Sequence, residues 1–269
     1  MIPRRAYADG PFGQIHFQHL GDGHPLVLLH QAPMTSGQFD WVYAPLAAHG
    51  LHAIGIDMPG FGLSDATPSV PGVADYAAIV PPVLDALGLA TASVLGHHTG
   101  ALVATEVAIQ FPDRVEALIL NGPLPLTEQE RADYLANGHQ WELGFAARPH
   151  ADHMRELFDI RAGFAVGSVP LDRISDYVVQ ALIGRGKFWY GHHAAFQYRH
   201  DETLPHITQP TLILTNTGDM IFDHARKAHA LRPDFAFVAL EGGGVDIVDQ
   251  QPEAWAGAVA AFLGSVGKL

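Results

Sequence analysis

Short apolar runs alternate along the chain with stretches in which apolar residues recur every three or four positions. Residues 14–20 alternate polar and apolar and predict a half-buried strand; Gly21-Asp22-Gly23 is a turn, and the unbroken apolar run at 25–29 reads as a strand covered on both faces. Helical spacing follows over 38–49, then a buried strand at 52–56 running into Asp57-Met58-Pro59-Gly60, a helix at 75–87, a strand at 91–95, a helix at 101–111 and a strand at 115–120. Strand, helix and strand joined by short connections imply parallel pairing through right-handed crossovers.

That rhythm breaks at Pro123. From 123 to 205 the apolar positions fall at helical spacing, with a capping-box pattern in Thr127-Glu128-Gln129-Glu130 and a long amphipathic stretch at 171–183. The strand pattern resumes at 211–215 and 235–240, separated by a helix near 224–231, and a last helix covers 253–263. The prediction is an α/β fold: a mostly parallel, doubly wound sheet formed by residues 1–122 and 206–269, with a helical insertion at 123–205. Ligands of such sheets sit beyond the carboxyl ends of the strands, where the connecting loops gather.

Composition narrows the partners. In 269 residues, 48% hydrophobic and 16% charged side chains exclude a disordered chain and a coiled coil. Lys+Arg 15 against Asp+Glu 28 gives 15 − 28 = −13, which leaves no attraction to nucleic acid or to an anionic membrane surface. With no cysteine, a disulfide framework, a thiolate metal site and a cysteine nucleophile all drop out. The N-terminus lacks the apolar stretch of a secretory signal, and no apolar run is long enough for a membrane span. The expectation is a cytoplasmic protein acting on a small molecule, with no cofactor or metal. Histidine, at 17 residues, is in excess, which makes each histidine position worth following.

One segment concentrates the candidate chemistry. Gly96-His97-His98-Thr99-Gly100 joins a predicted buried strand directly to a helix, and its two outer glycines permit a turn too sharp for residues with side chains. Here the chain resembles the α/β-hydrolase family over nearly its whole length. LVLLHQAP is similar to that family's oxyanion-loop strand, IGIDMPGFGLSD to its fourth-strand segment, GHHTG to its nucleophile elbow, TNTGD to the turn that carries its acid, and QQPEAWAGAVAAFL to its closing helix. The resemblance implies the α/β-hydrolase fold, with a helical lid between strands six and seven. It also implies an elbow centred on Ser, Cys or Asp, where this chain has His98. Asp219 falls at the acid position, and Val245 stands where the family's catalytic histidine belongs, with no histidine after His229. A serine triad cannot be assembled from these residues.

Other chemistry remains open to the same scaffold. An elbow projects its central side chain into the pocket, so His98 is a candidate general base, since an imidazole exchanges protons near neutral pH. The backbone N–H groups of Thr99 and Ala32 form the oxyanion hole that the resemblance implies. His30, Gln31, Asn121, Trp189, His192, His193 and Val245 are candidate substrate contacts; among them His30 is usually structural in this family, and Gln31 replaces its usual glycine. Each has a bland use too: His98 as filler of a silent pocket, His97 as a packed residue, Asp219 as a turn former, and the aromatics of FWYGHHAAFQY as the insertion's own core.

Three readings follow. The first is an enzyme on a small, largely apolar carbonyl compound that uses His98 as base for hydrolysis or for a lyase, isomerase, decarboxylase or cofactor-free oxygenase step. A second is a ligand-binding protein that performs no reaction, which Val245 suggests. The third is a metal enzyme that draws its ligands from His30, His98, His192 and His193, although these lack the spacing and carboxylate partner of known motifs.

Overall fold

The computed structural model describes residues 2–269. Its centre is an eight-stranded sheet: β1 (Arg4–Gly10), β2 (Gly13–Leu20), β3 (His24–Leu29), β4 (Leu51–Ile56), β5 (Ala92–His97), β6 (Val115–Asn121), β7 (Thr211–Asn216) and β8 (Ala236–Leu240). Their spatial order is β1-β2-β4-β3-β5-β6-β7-β8, with β2 antiparallel to both β1 and β4 and every other pair parallel.

The apolar runs are continuous because the central strands are covered on both faces. Successive residues of β3 separate accordingly: Val27 and Leu29 join the layer holding Val80, Leu102 and Val107, whereas Leu26 and Leu28 join the opposite layer with Tyr43, Leu46 and Trp255. The first layer is covered by α2 (Val73–Ala77), α3 (Val80–Ala86) and α4 (Thr99–Gln110), and the second mainly by α1 (Tyr43–Ala48) and the C-terminal helix (Pro252–Ser265).

Two predicted helices differ from the structure, and one strand is not predicted at all. β1 is absent from the expectation because it is an edge strand: only Ala8 of RRAYADG is buried, so the sequence carries no apolar period there. The helix expected over 38–49 is a 3-10 turn at Ser36–Phe39 followed by the short α1. The helix expected over 75–87 is broken into α2 and α3 just ahead of Pro81 and Pro82, which supply no backbone N–H to continue it.

Between β6 and β7 lie α5 (Glu128–Asp133), α6 (Gln140–Leu143), α7 (Asp152–Ala165), α8 (Leu171–Leu182), α9 (Tyr190–Gln197) and α10 (His200–Thr203). Thr127 caps α5: its side chain accepts from the Glu130 N–H at 3.2 Å, and the Glu130 carboxylate accepts from the Thr127 N–H at 2.9 Å. The remaining helices are α11 (Phe222–Leu231), α12 (Ile247–Gln250) and α13, the C-terminal helix already named. Among the described residues no helix is long and apolar enough to cross a membrane.

Two buried ion pairs fix the helical segment to the core. Arg173 of α8 donates through Nε to Asp249 of α12 at 3.0 Å and through Nη2 to the carbonyls of Gly37 and Gln38 at 3.0 and 3.1 Å. Arg161 of α7 pairs with Asp246, and the Tyr177 ring lies against both guanidiniums, at 4.6 Å from Arg161 and 5.1 Å from Arg173. Removing one partner of such a pair strands the other charge out of water. Arg173→Ala is therefore expected to cost about 3–5 kcal/mol of stability, read as a lower midpoint in urea unfolding; a loss below about 1 kcal/mol, typical of an exposed pair, would contradict the role assigned to this contact.

Candidate active site

The sharp connection from β5 to α4 depends on glycine: a Cβ on Gly96 would lie 1.9 Å from the Gly100 carbonyl oxygen. His98 occupies the bend with φ 50° and ψ −111°, a backbone state that costs an ordinary residue about 1–3 kcal/mol. Its N–H donates to the Asn121 carbonyl at 2.8 Å, which ties the bend to the end of β6.

The imidazole of His98 reaches Asp219, with Nε2 at 2.8 Å from Oδ2. Asp219 is buried in the turn after β7, and its other oxygen accepts from the Ile221 N–H at 3.1 Å. Burial pushes this carboxyl up, but the His98 imidazole and the Ile221 N–H outweigh it and hold Asp219 below its ordinary value. A carboxylate can only accept, so the Nε2 of His98 carries a hydrogen and neutral His98 keeps its lone pair on Nδ1. Nδ1 makes no hydrogen bond among the described residues. Space for the ring comes from Gly122, where a Cβ would lie 2.5 Å from His98 Cδ2.

His97 points away from this pair. It is fully buried with its ring 4.6 Å from that of His98, and the side-chain amide of Gln38 donates to its Nδ1. Burial holds His97 well below the ordinary imidazole value, so it stays uncharged. The side-chain oxygen Oε1 of the same Gln38 accepts from the Gln31 N–H at 2.9 Å. Gln38 thereby fastens the loop after β3 to the end of β5, beside the bend.

A cavity of about 340 Å³ opens over His98, walled by Ala32, Met34, Tyr177, Phe188, Phe196 and Val245. Its polar groups are few: Gln31, Arg161, His192, His139 and Glu142. The side-chain nitrogen of Gln31 is buried with no hydrogen-bond partner, as is Nε of Arg161. A second, smaller compartment of about 130 Å³ shares His98, His192, Phe196 and Met220 with the first and adds Thr99, Leu102 and Tyr134. The backbone N–H groups of Ala32 and Thr99 have no acceptor among the described residues.

Several expected contacts lie elsewhere. Asn121 is committed to the core, its amide donating to the Leu214 carbonyl at 3.3 Å while its oxygen accepts from Trp255 Nε1 at 2.7 Å. His30 bonds only to backbone: Nδ1 donates to the Gln31 carbonyl at 2.9 Å and Nε2 accepts from the Met58 N–H at 3.0 Å. Trp189 and His193 do not line the cavity; they pack on each other at 5.1 Å, and His193 pairs with His139 at 3.2 Å. Among the described residues no three His, Asp or Glu side chains are grouped to hold a metal ion. Arg161, Glu142, His139 and Met220 were not foreseen. Arg161 and Glu142 sit on α7 and α6 and His139 in the turn just before α6, elements whose approach to His98 has no local signature, whereas Met220 could have been noted as the neighbour of Asp219.

Comparison with known proteins decides the family, because residues 24–248 match the model described as the alpha/beta hydrolase fold. The chain belongs to the α/β hydrolase fold family. Among curated α/β-hydrolase-family relatives it is 26% identical over 265 residues to a non-heme chloroperoxidase of Streptomyces lividans, covering 91% of this chain and 93% of that protein. It is 30% identical over 131 residues to the (E)-2-((N-methylformamido)methylene)succinate hydrolase of Acinetobacter baylyi, covering 46% of this chain and 49% of that one. Matches to the first three curated relatives span only about half of their length, 45%, 49% and 52%. Among solved structures, a bromoperoxidase from Bacillus anthracis superposes with TM-score 0.81 at 18% identity over 97% of this chain and 100% of that chain. An E-2-(acetamidomethylene)succinate hydrolase does so with TM-score 0.80 at 20% identity over 97% and 99%. These superpositions show the fold.

Because Asp219 is held below its ordinary 3.8, its contribution to stability is complete above that pH and fades as acid protonates it in the folded state. The melting-temperature gap between the wild type and Asp219→Asn is therefore expected to be constant through neutral pH and to close below about pH 4. A gap that stays constant down to pH 3 would mean that Asp219 is not ionised in the folded protein.

Proposed function

We propose that this α/β-hydrolase-family protein is an enzyme that hydrolyses a small, largely apolar carbonyl compound without a serine nucleophile. His98 is the general base, Asp219 fixes its tautomer, and the N–H groups of Ala32 and Thr99 form the oxyanion hole. Helical segment 123–205 acts as the lid. The observation that carries this reading is the 2.8 Å contact of His98 Nε2 with the Asp219 carboxylate, since it leaves Nδ1 as the nitrogen able to take a proton from a water in the cavity. The hydrolase names borne by relatives such as the Acinetobacter baylyi protein support hydrolysis over the other steps the scaffold permits.

The mechanism follows from these positions. Water attacks the carbonyl carbon as His98 takes its proton, and the carbonyl electron pair moves onto oxygen, where two preorganised N–H dipoles stabilise it. Collapse of that intermediate expels the leaving group. The apolar walls exclude bulk water and strengthen each of these interactions. Asp219 does not need to accept a proton; its negative charge stabilises the imidazolium that forms.

The test is turnover of a panel of aryl and alkyl esters of small apolar acids. His98→Ala is expected to lower kcat by about 10²–10⁴-fold in a protein that still folds cooperatively, at a melting temperature lowered because Asp219 loses its partner, and a fluorophosphonate is expected to label nothing in the cavity. Undiminished turnover by His98→Ala, or a labelled hydroxyl, would overturn the mechanism. Wild-type protein that is stabilised by cavity ligands yet forms no product across the panel would establish the silent binding protein instead.

A further inference from the structure

The cavity holds a second proton-carrying pair that the mechanism above leaves unused. His192 of α9 and Glu142 of α6 both line it, and His192 Nδ1 lies 2.6 Å from Glu142 Oε1. The second oxygen of Glu142 is buried with no hydrogen-bond partner. The Glu142 side chain is only 12% exposed, so its negative charge gains from a cation beside it. The Phe196 ring one turn along α9 stacks on His192 at 5.8 Å and 11°, which limits its rotation. His192 also borders the smaller compartment together with His98, so the two histidines face the same space from opposite elements, one from the sheet edge and one from the helical segment.

We infer that His192, held by Glu142, is the general acid that protonates the leaving group in the hydrolysis proposed above. The inference rests on that reading of His98. With Nδ1 of His192 donating to Glu142, Nε2–H of the imidazolium is the donor left for substrate. The step balances as follows. Water loses a proton to His98 Nδ1 and forms the new C–O bond; the bond from carbon to the leaving atom breaks with its electron pair on that atom; His192 Nε2 supplies the proton that makes it neutral. The acid product and the protonated leaving group depart, and the proton on His98 returns to His192 through solvent.

The charged surroundings agree with this role. Burial alone would lower His192, but the Glu142 carboxylate outweighs it and raises the imidazole above its ordinary value, against an opposing contribution from Arg161. Arg161 is itself paired with Asp246, and both ring nitrogens of His139 are engaged, Nδ1 with the Tyr134 carbonyl and Nε2 with His193 Nδ1, each at 3.2 Å, so neither offers a competing acid at the same place. An acid is needed only where the departing group is more basic than a phenolate. The substrate class indicated is therefore an ester of an aliphatic alcohol, or an amide, and not an activated aryl ester.

The experiment compares His192→Gln and Glu142→Gln with the wild type on 4-nitrophenyl acetate and on an alkyl acetate, with melting temperature and KM recorded for each. His192→Gln is expected to lower kcat on the alkyl ester by about 10²-fold or more beyond whatever loss it causes on the nitrophenyl ester. Glu142→Gln is expected to move the alkaline limb of the alkyl-ester profile to lower pH, because the acid loses its anionic partner. Equal losses on both esters, or none on either, would overturn the role of His192; loss of both activities in His98→Ala would still uphold the base, so the two readings fail separately. A titration of the histidine Cε1 carbons by NMR decides the matter even without turnover. The signal absent in His192→Gln should stay protonated above the ordinary 6.5 and fall in Glu142→Gln, and a His192 that titrates at or below 6.5 defeats the assignment.

Discussion

The arrangement of the site depends on one contact, the hydrogen bond from the ring of His98 to the buried carboxylate of Asp219. It joins two chain segments 121 residues apart, at the ends of two strands that are not neighbours in the sheet. It fixes which imidazole nitrogen carries hydrogen, and it accounts for a buried carboxylate that would otherwise be costly. The backbone at His98 is strained, and strain of this kind persists only where the surroundings over-determine it. Here they do: the N–H is held by Asn121, the ring by Asp219, and the facing position is glycine.

Around this pair the cavity is largely apolar, with a few polar groups drawn from two directions. Gln31 comes from the loop after β3, while Glu142, Arg161 and His192 come from the helical segment. Two of these side chains, Gln31 and Arg161, leave nitrogen atoms buried without partners among the described residues, a costly state. Such atoms are available to a ligand that brings its own acceptors. The Arg161–Asp246 and Arg173–Asp249 pairs hold the helical segment against α12 and the loop before it, so the depth of the cavity is set by charge pairing as well as by packing.

Most of the sheet was legible because its central strands lie between two apolar layers and their residues are mostly apolar whichever way they face. β1 was not, since an edge strand can satisfy its pairing with few buried side chains. The bend at Gly96–Gly100 was legible from its glycines, and so was the acid turn at Asp219. Which residues meet in the cavity was far less so. Asn121 was a candidate for its place at a strand end, yet its side chain is taken up by Trp255 and Leu214; His30 was one for its resemblance to the oxyanion-loop histidine, usually structural, and its ring bonds the backbone of Gln31 and Met58.

The amino-acid sequence by itself determined the α/β layering, the interruption by helices after β6, and the placing of an imidazole where a sharp turn presents it. These are consequences of local period and of glycine geometry, which act over a few residues. Only the tertiary structure decided that His98 meets Asp219 directly, that His192 meets Glu142, and that Trp189 and His193 face each other instead of the cavity. Those outcomes turn on the angles at which separate helices pack and on which polar atoms are claimed first by neighbours distant in the chain. No local pattern encodes either.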